Sequence, residues 1–216
     1  MLKRGLPLVA AVLLGLAWGS SGLSVSGELW LSAFRMDVVN EILAAYNASN
    51  EANVGMMNVG LGGQAEACVP IGDRGVASLL GLRAEFARAE GNGEREADAE
   101  TVAASLVGPY VGVSYSLRSW AVGVDIGLYR GGFHFPAGRY DSLVGWDVGL
   151  VARMRYSVSV VRGVVIDTGL FSAWLPVTQL TDTEGAVYGA RDGNFLDFSG
   201  FGLSIGLSWR SLGGGK

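Results

Sequence analysis

Large apolar side chains recur at every second position through most of this chain. In 200–210 they are Phe201, Leu203, Ile205, Leu207 and Trp209, separated by Gly and Ser. In 105–117, Val107, Val111, Val113, Tyr115 and Leu117 share one face, while Gly108, Tyr110, Gly112, Ser114 and Ser116 share the other. The stretches 120–130 and 145–157 alternate in the same way, with Trp120, Val122, Val124, Ile126 and Leu128 in the first and Trp146, Val148, Leu150, Met154 and Tyr156 in the second. Period-2 alternation sustained over this length predicts strands with one apolar face. Eight such runs are read, at 25–34, 55–69, 76–90, 102–117, 120–132, 143–158, 163–175 and 196–210.

The connectors alternate in length. Those at 70–75, 118–119 and 161–163 are tight, and those at 35–54, 91–101, 133–142 and 176–195 are long. Short turns at one end and long loops at the other describe an all-β, antiparallel up-and-down meander. Eight strands can close it into a barrel without edges. In the first long loop, Val38, Val39, Ile42, Leu43 and Tyr46 follow helical spacing, which predicts a short amphipathic helix over 36–47.

The same pattern fits a soluble barrel with its apolar face inward or a membrane barrel with that face outward. Volume and charge favour the membrane barrel. An eight-stranded interior is just wide enough for side chains to fill, and the apolar faces carry far too many large residues for it. The Gly- and Ser-rich face fits inside. No charge interrupts the middle of an apolar face; Arg88 and Arg130 have that parity but stand at the loop ends of their strands. Mid-face Arg or Lys costs about 2–4 kcal/mol at a bilayer midplane. Aromatic residues fall in two sets on the apolar face: Tyr115, Trp120, Tyr156 and Trp209 towards the short turns, Phe86, Trp146, Trp174 and Phe201 towards the long loops. Two belts match two membrane interfaces. Phe201, Leu203, Ile205, Leu207 and Trp209 are therefore expected to meet lipid, and Gly202, Ser204, Gly206 and Ser208 to line the interior. The runs exceed the roughly 9–11 residues that cross a bilayer, so they are expected to project beyond it on the loop side.

Composition agrees. The chain has 216 residues, 17% of them charged, and 34 glycines, against about 25% charged and roughly 7% glycine in soluble domains. The net charge of −4 and the absence of a basic stripe argue against nucleic acid. Lys3 and Arg4, the apolar stretch 5–18 and the small residues of 19–24 read as an export signal cleaved after Ser24, with Gly19 or Ser21 as other cut sites. The expected organisation is a signal peptide over 1–24, a barrel over 25–210 and a short tail over 211–216. Cys68, the single cysteine, reads as a small strand residue.

With the signal and all eight strands in place, the chain resembles the small eight-stranded outer-membrane barrels of the OmpA/OmpX-like class, by architecture rather than by a diagnostic motif. That resemblance implies short turns in the periplasm, long loops outside, bacterial outer-membrane lipid as surroundings, and delivery by the barrel-assembly machinery through an aromatic-ended last strand. Here Trp209 is followed by seven further residues, Arg210 to Lys216, whereas family members usually end on the aromatic.

The candidate site is a lumen charge network. Glu66, Arg83, Glu85, Asp125, Asp147, Arg153, Arg155 and Asp167 all fall on the inner face. Buried charges require partners. A tight turn near Val160–Val161 sets Asp167 across from Arg153 and Arg155, with Asp125 at the same level; Arg83, Glu85 and Glu66 form a second group. The expected role is structural, plugging the barrel. A Ser–His–acid site would need His134, the only histidine, with Ser142 and Asp141 nearby; a loop histidine without catalytic role is the simpler reading. The acidic segment 90–100 lacks EF-hand spacing, the glycines of 60–63 precede no helix and are no phosphate loop, and the sequon at Asn47 is read as chance. No catalytic, cofactor or metal residues are assigned. The function expected is a non-enzymatic outer-membrane barrel, with a structural or surface-interaction role through extracellular loops and partners there unknown. The alternatives are a narrow, porin-like pore, a lipid-modifying enzyme and a secreted ligand-binding barrel.

Overall fold

The computed structural model describes residues 24–71, 75–92, 99–137, 140–189 and 193–210. The expected signal peptide and tail lie outside these, apart from Ser24. In chain order the elements are β1 (Ser24–Phe34), α1 (Asp37–Asn50), β2 (Asn53–Val54), β3 (Val59–Ile71), β4 (Val76–Asn92), β5 (Ala99–Leu117), β6 (Trp120–Phe135), β7 (Tyr140–Val161), β8 (Val164–Trp174), β9 (Pro176–Val177), β10 (Gln179–Thr181), β11 (Val187–Gly189), β12 (Leu196–Asp197) and β13 (Gly200–Arg210). Each of the eight expected runs forms one long strand. β1, β3, β4, β5, β6, β7, β8 and β13 pair antiparallel in that order, and β13 returns to β1, closing the ring.

Pairing fixes the barrel's shape. Stepping across the ring from Ala77 leads through Ser114, Gly123, Arg153, Phe171, Gly202, Ser32 and Gly60 to Ala87, ten residues further along β4. That stagger over eight strands requires a tilt of about 40°. It also brings aromatics from different strands to common heights. Tyr115, Trp120, Tyr156 and Trp209 ring the short-turn end, and Phe86, Trp146, Trp174 and Phe201 ring the barrel about 20–25 Å above them by strand rise and tilt. All eight face outward and are exposed, as are Leu203, Ile205 and Leu207 between them. An exposed apolar band of this height, on strands whose inner face carries the charge, is the lipid-facing surface of a membrane barrel.

On the loop side the pattern inverts. Above Phe86, β4 and β5 turn Ala87, Ala89, Val102, Ala104 and Leu106 inward, and β6 and β7 do the same with Phe133, Phe135 and Leu143. Arg88, Glu90 and His134 face out into water. The interior is thus Gly- and Ser-rich only within the membrane band; beyond it lies an apolar core. Water outside the strands replaces lipid, so the hydrophobic face must turn inward. This core is closed by Met36, Val39 and Leu43 of α1 and by Leu175, Val177, Leu180, Phe195, Leu196 and Phe198 of the last long connector.

Several boundaries shift for the same reason. β4, β5, β6 and β7 extend through much of the expected loops 91–101 and 133–142 and make a tall wall. The run begun at 55 becomes strand only at Val59, and 196–197 pairs with β9 instead of continuing β13. The helix reaches Asn50, and Glu51 ends it in a left-handed conformation (φ 51°). The sequon residue Asn47 is occupied structurally: its amide donates to the Val54 carbonyl at 2.9 Å and its oxygen accepts from the Val54 N–H at 2.9 Å.

Candidate functional site in the barrel lumen

Within the membrane band the inner face supplies two interlocked ionic groups. Arg83 of β4 lies beside Asp125 of β6, donating to both carboxylate oxygens at 3.0 and 3.1 Å. It also donates to the Tyr129 hydroxyl and to Gln64 Oε1, each at 3.0 Å. Two parallel N–H···O bonds of this kind suit the planar fork of arginine. Below it, Glu66 of β3 accepts from Arg153, from Arg155 at 2.9 Å and from the Tyr110 hydroxyl at 2.8 Å. Arg155 Nε lies 2.6 Å from Glu28 Oε1, and Arg153 reaches Asp125 at 3.5 Å, tying the groups together. Two guanidiniums approach the Tyr110 ring, Arg83 at 4.7 Å and Arg153 at 5.4 Å from its centroid, each within cation–π range.

The partners differ from those expected. Arg83 and Asp125 come from the two groups proposed as separate, and so do Glu66 and the pair Arg153 and Arg155. Long arginine and glutamate side chains reach across the narrow lumen, so partners come from strands that are not neighbours in the ring. Asp167 does not meet Arg153 or Arg155: the β7–β8 turn centres on Arg162 and Gly163, so Asp167 pairs across from Ser157. It accepts from the hydroxyls of Ser157 and Ser208. Glu85 is buried and accepts from Ser32, with no arginine in ion-pair contact among the described residues. Asp147 lies outside the network, near the loop end, where it accepts from the Thr178 hydroxyl at 2.9 Å and the Thr178 N–H at 3.1 Å. Glu28, Gln64, Tyr110 and Tyr129 are participants that charge alone did not reveal. The inward parity of Glu28 in the first strand was the available signal.

Space decides what the lumen can pass. Towards the short turns the network roofs a cavity of about 310 Å³, bordered by Glu66, Arg153, Arg155, Asp167 and serines. Above it Trp30 and Phe171 meet edge to face, ring centroids 5.6 Å apart. Inner-face glycines make room for them: a Cβ on Gly62 would stand 2.3 Å from the Trp30 ring, and one on Gly202 2.1 Å from that of Phe171. The pocket among Trp30, Gln64, Arg83, Glu85 and Phe171 holds about 10 Å³, at most the room of one water. Leu106, Tyr129, Phe133, Leu143, Val151 and Leu175 then fill the space up to the cap, all at most 2% exposed.

His134 stands on the outer face of β6. The pairing of β6 with β7 shifts between Phe133 and Phe135, so the backbone positions 141 and 142 both oppose it, and Ser142 adopts a left-handed φ of 58°. Cys68 lies on the inner face beside the cavity as a free thiol.

No protein-family model matches the chain, and no curated protein matches it in sequence. Solved structures do match in shape. The attachment invasion locus protein Ail of Yersinia pestis, solved with the heparin analogue sucrose octasulfate, superposes with a TM-score of 0.50 at 10% identity, covering 88% of this chain and 99% of that one. The outer membrane protein OprG of Pseudomonas aeruginosa gives 0.48 at 7% identity, covering 88% and 96%. Neisserial surface protein A gives 0.46 at 13% identity, covering 87% and 96%. The fold is that of the small outer-membrane β-barrels.

Proposed function

We propose that the protein resides in a bacterial outer membrane as a non-conducting, non-enzymatic barrel, and that its loop-side half serves as a structural or surface-interaction platform. One observation carries this reading. The lumen is filled from Trp30 and Phe171 upward, while β4 to β7 carry a folded, water-exposed wall beyond the lipid band. A barrel that passes nothing yet holds a rigid structure above the membrane is suited to contacts made there. In this reading residues 1–24 act as the export signal, the barrel-assembly machinery inserts β13 and β1 together, and outer-membrane lipid surrounds the apolar band. The test is planar-bilayer conductance of protein extracted from outer membranes. Wild type is expected to insert without conductance steps, whereas Leu106→Ala combined with Phe133→Ala should admit ions through the hollowed plug. Reproducible steps in wild type would replace this reading with the narrow pore.

A second reading, lipid ester hydrolysis, is favoured by the bulge that sets backbone positions 141 and 142 opposite His134, two residues above the level of Phe86. Such bulges re-aim side chains beside active sites. Release of fatty acid from membrane lipid that disappears in both His134→Ala and Ser142→Ala would support it. Release that is absent in wild type, or unchanged in His134→Ala, would remove it.

A further inference from the structure

Outside the lumen, the short-turn end of the barrel carries charge of one sign. Arg118 occupies the β5–β6 turn and Arg162 the β7–β8 turn; both are exposed, and neither has an ion pair among the described residues. No described carboxylate faces outward there, because Glu66 and Asp167 are turned into the lumen. The loop side is mixed: Arg88 pairs with the exposed Glu90, and Asp37, Glu41, Glu51 and Glu184 are exposed as well as Arg35 and Arg130. The lower aromatic belt sets the depth of the two turn arginines. Arg118 follows the exposed Leu117 and stands two residues before Trp120, whose ring lies 4.9 Å from that of Tyr156. Trp209 pairs with Val164, two residues after Arg162, a step of about 7 Å of strand rise. Val158, Val160 and Val161 keep the β7–β8 hairpin apolar and exposed up to that arginine. Aromatic belts sit at headgroup level, so guanidiniums this short step past the belt stand among headgroups. Turn geometry does not account for them: Arg118 has a φ of 56°, a left-handed conformation for which glycine or asparagine is the ordinary choice.

We infer that Arg118 and Arg162 each bind the phosphate of an anionic phospholipid in the leaflet at the short-turn end. A guanidinium offers a planar pair of donors that matches phosphate oxygens. With no carboxylate beside either arginine, the headgroup must bring a net negative charge; a zwitterionic headgroup carries its own cation and gains less. The exposed Leu117 and Val161, each directly before its arginine, lie against the lipid while the guanidinium steps out to the phosphate. The two contacts fix the depth of the barrel and give it a lipid preference on one side only, leaving the loop side free for other contacts. This inference rests on the outer-membrane reading above, but it does not depend on whether the lumen conducts.

Native mass spectrometry of the full barrel extracted from outer membranes, released from micelles titrated with phosphatidylglycerol or with phosphatidylcholine of matched chains, counts the lipids held. Wild type should bind two phosphatidylglycerol molecules about fivefold more tightly than phosphatidylcholine, the contribution of one arginine near an anionic headgroup to each. Arg118→Gln and Arg162→Gln should each remove the preference at one of the two, and the double variant at both. The single variants keep the test open if the double variant fails to fold, as judged by mobility on unboiled gels. Arg118→Lys combined with Arg162→Lys retains the charge and should keep most of the preference. Arg35→Gln combined with Arg130→Gln, on the loop side, should match wild type. Equal retention of the two lipids by wild type, or a preference unchanged in both single glutamine variants, would overturn the inference. Conductance steps in a wild type that keeps the preference would remove the plugged-lumen reading and leave this site standing.

Discussion

Replacing Glu66 with Gln isolates the energetics of the lumen. Glu66 is 1% exposed and accepts from Tyr110, Arg153 and Arg155. The amide keeps the shape and one acceptor oxygen, but it turns an NH₂ group towards two guanidiniums and removes the charge they face. An exposed ion pair contributes about 0–1 kcal/mol; breaking one partner out of a buried ionic group costs about 3–5 kcal/mol, because the remaining charges stay desolvated. Burial decides which figure applies here. The expected loss is therefore about 3–5 kcal/mol, read by urea titration of the barrel in lipid vesicles, followed by tryptophan fluorescence. Asp147→Asn, whose partner is the exposed Thr178, should stay within about 0.5 kcal/mol of wild type. Arg155→Gln should couple to Glu66→Gln by about 0.5–3 kcal/mol in a double-mutant cycle. A Glu66→Gln loss below about 1 kcal/mol, the exposed-pair range, would show that water reaches the network freely and would refute the argument.

Other outcomes follow from the packing. Ile205→Arg, mid-strand on β13 between Leu29 and Thr168, should destabilise the inserted barrel by about 2–4 kcal/mol in the same titration, because the charge meets the bilayer midplane. Gly62→Ala should cost about 1–3 kcal/mol through displacement of the Trp30 ring, visible as a shift in tryptophan emission. The β10–β11 hairpin should respond to pH through Asp182, whose carboxyl is held below its ordinary range by the N–H of Ala186 and then of Glu184, with the Tyr188 hydroxyl adding to it. A depressed acid stabilises above its unfolded pKa of about 3.9 and loses that contribution as pH falls through the lower folded value. Protection of the Ala186 amide relative to its intrinsic exchange rate should fall only in acid, and Asp182→Asn should abolish that dependence.

Much of the barrel was legible from the chain because a strand's period is two and lipid accepts no charge. The alternation of 200–210 and 120–130, the two aromatic sets and the clean mid-face of every strand depend on local parity, which sequence carries directly. Eight strands, their antiparallel order, the outward placement of Phe201 to Trp209 and the first-loop helix all follow from it. Who meets whom across the lumen does not. The ten-residue stagger brings Glu66 to Arg153 and Arg83 to Asp125, and the position of the β7–β8 turn sends Asp167 to serines; no periodicity encodes either. Nor does the pattern alone reveal where lipid gives way to water. The same β5 strand shows Val111 to lipid and hides Leu106 in a capped core, because the medium outside it changes along its length. Local sequence determined the strands and their faces. Closure, stagger and the boundary of the membrane decided the network and the plug.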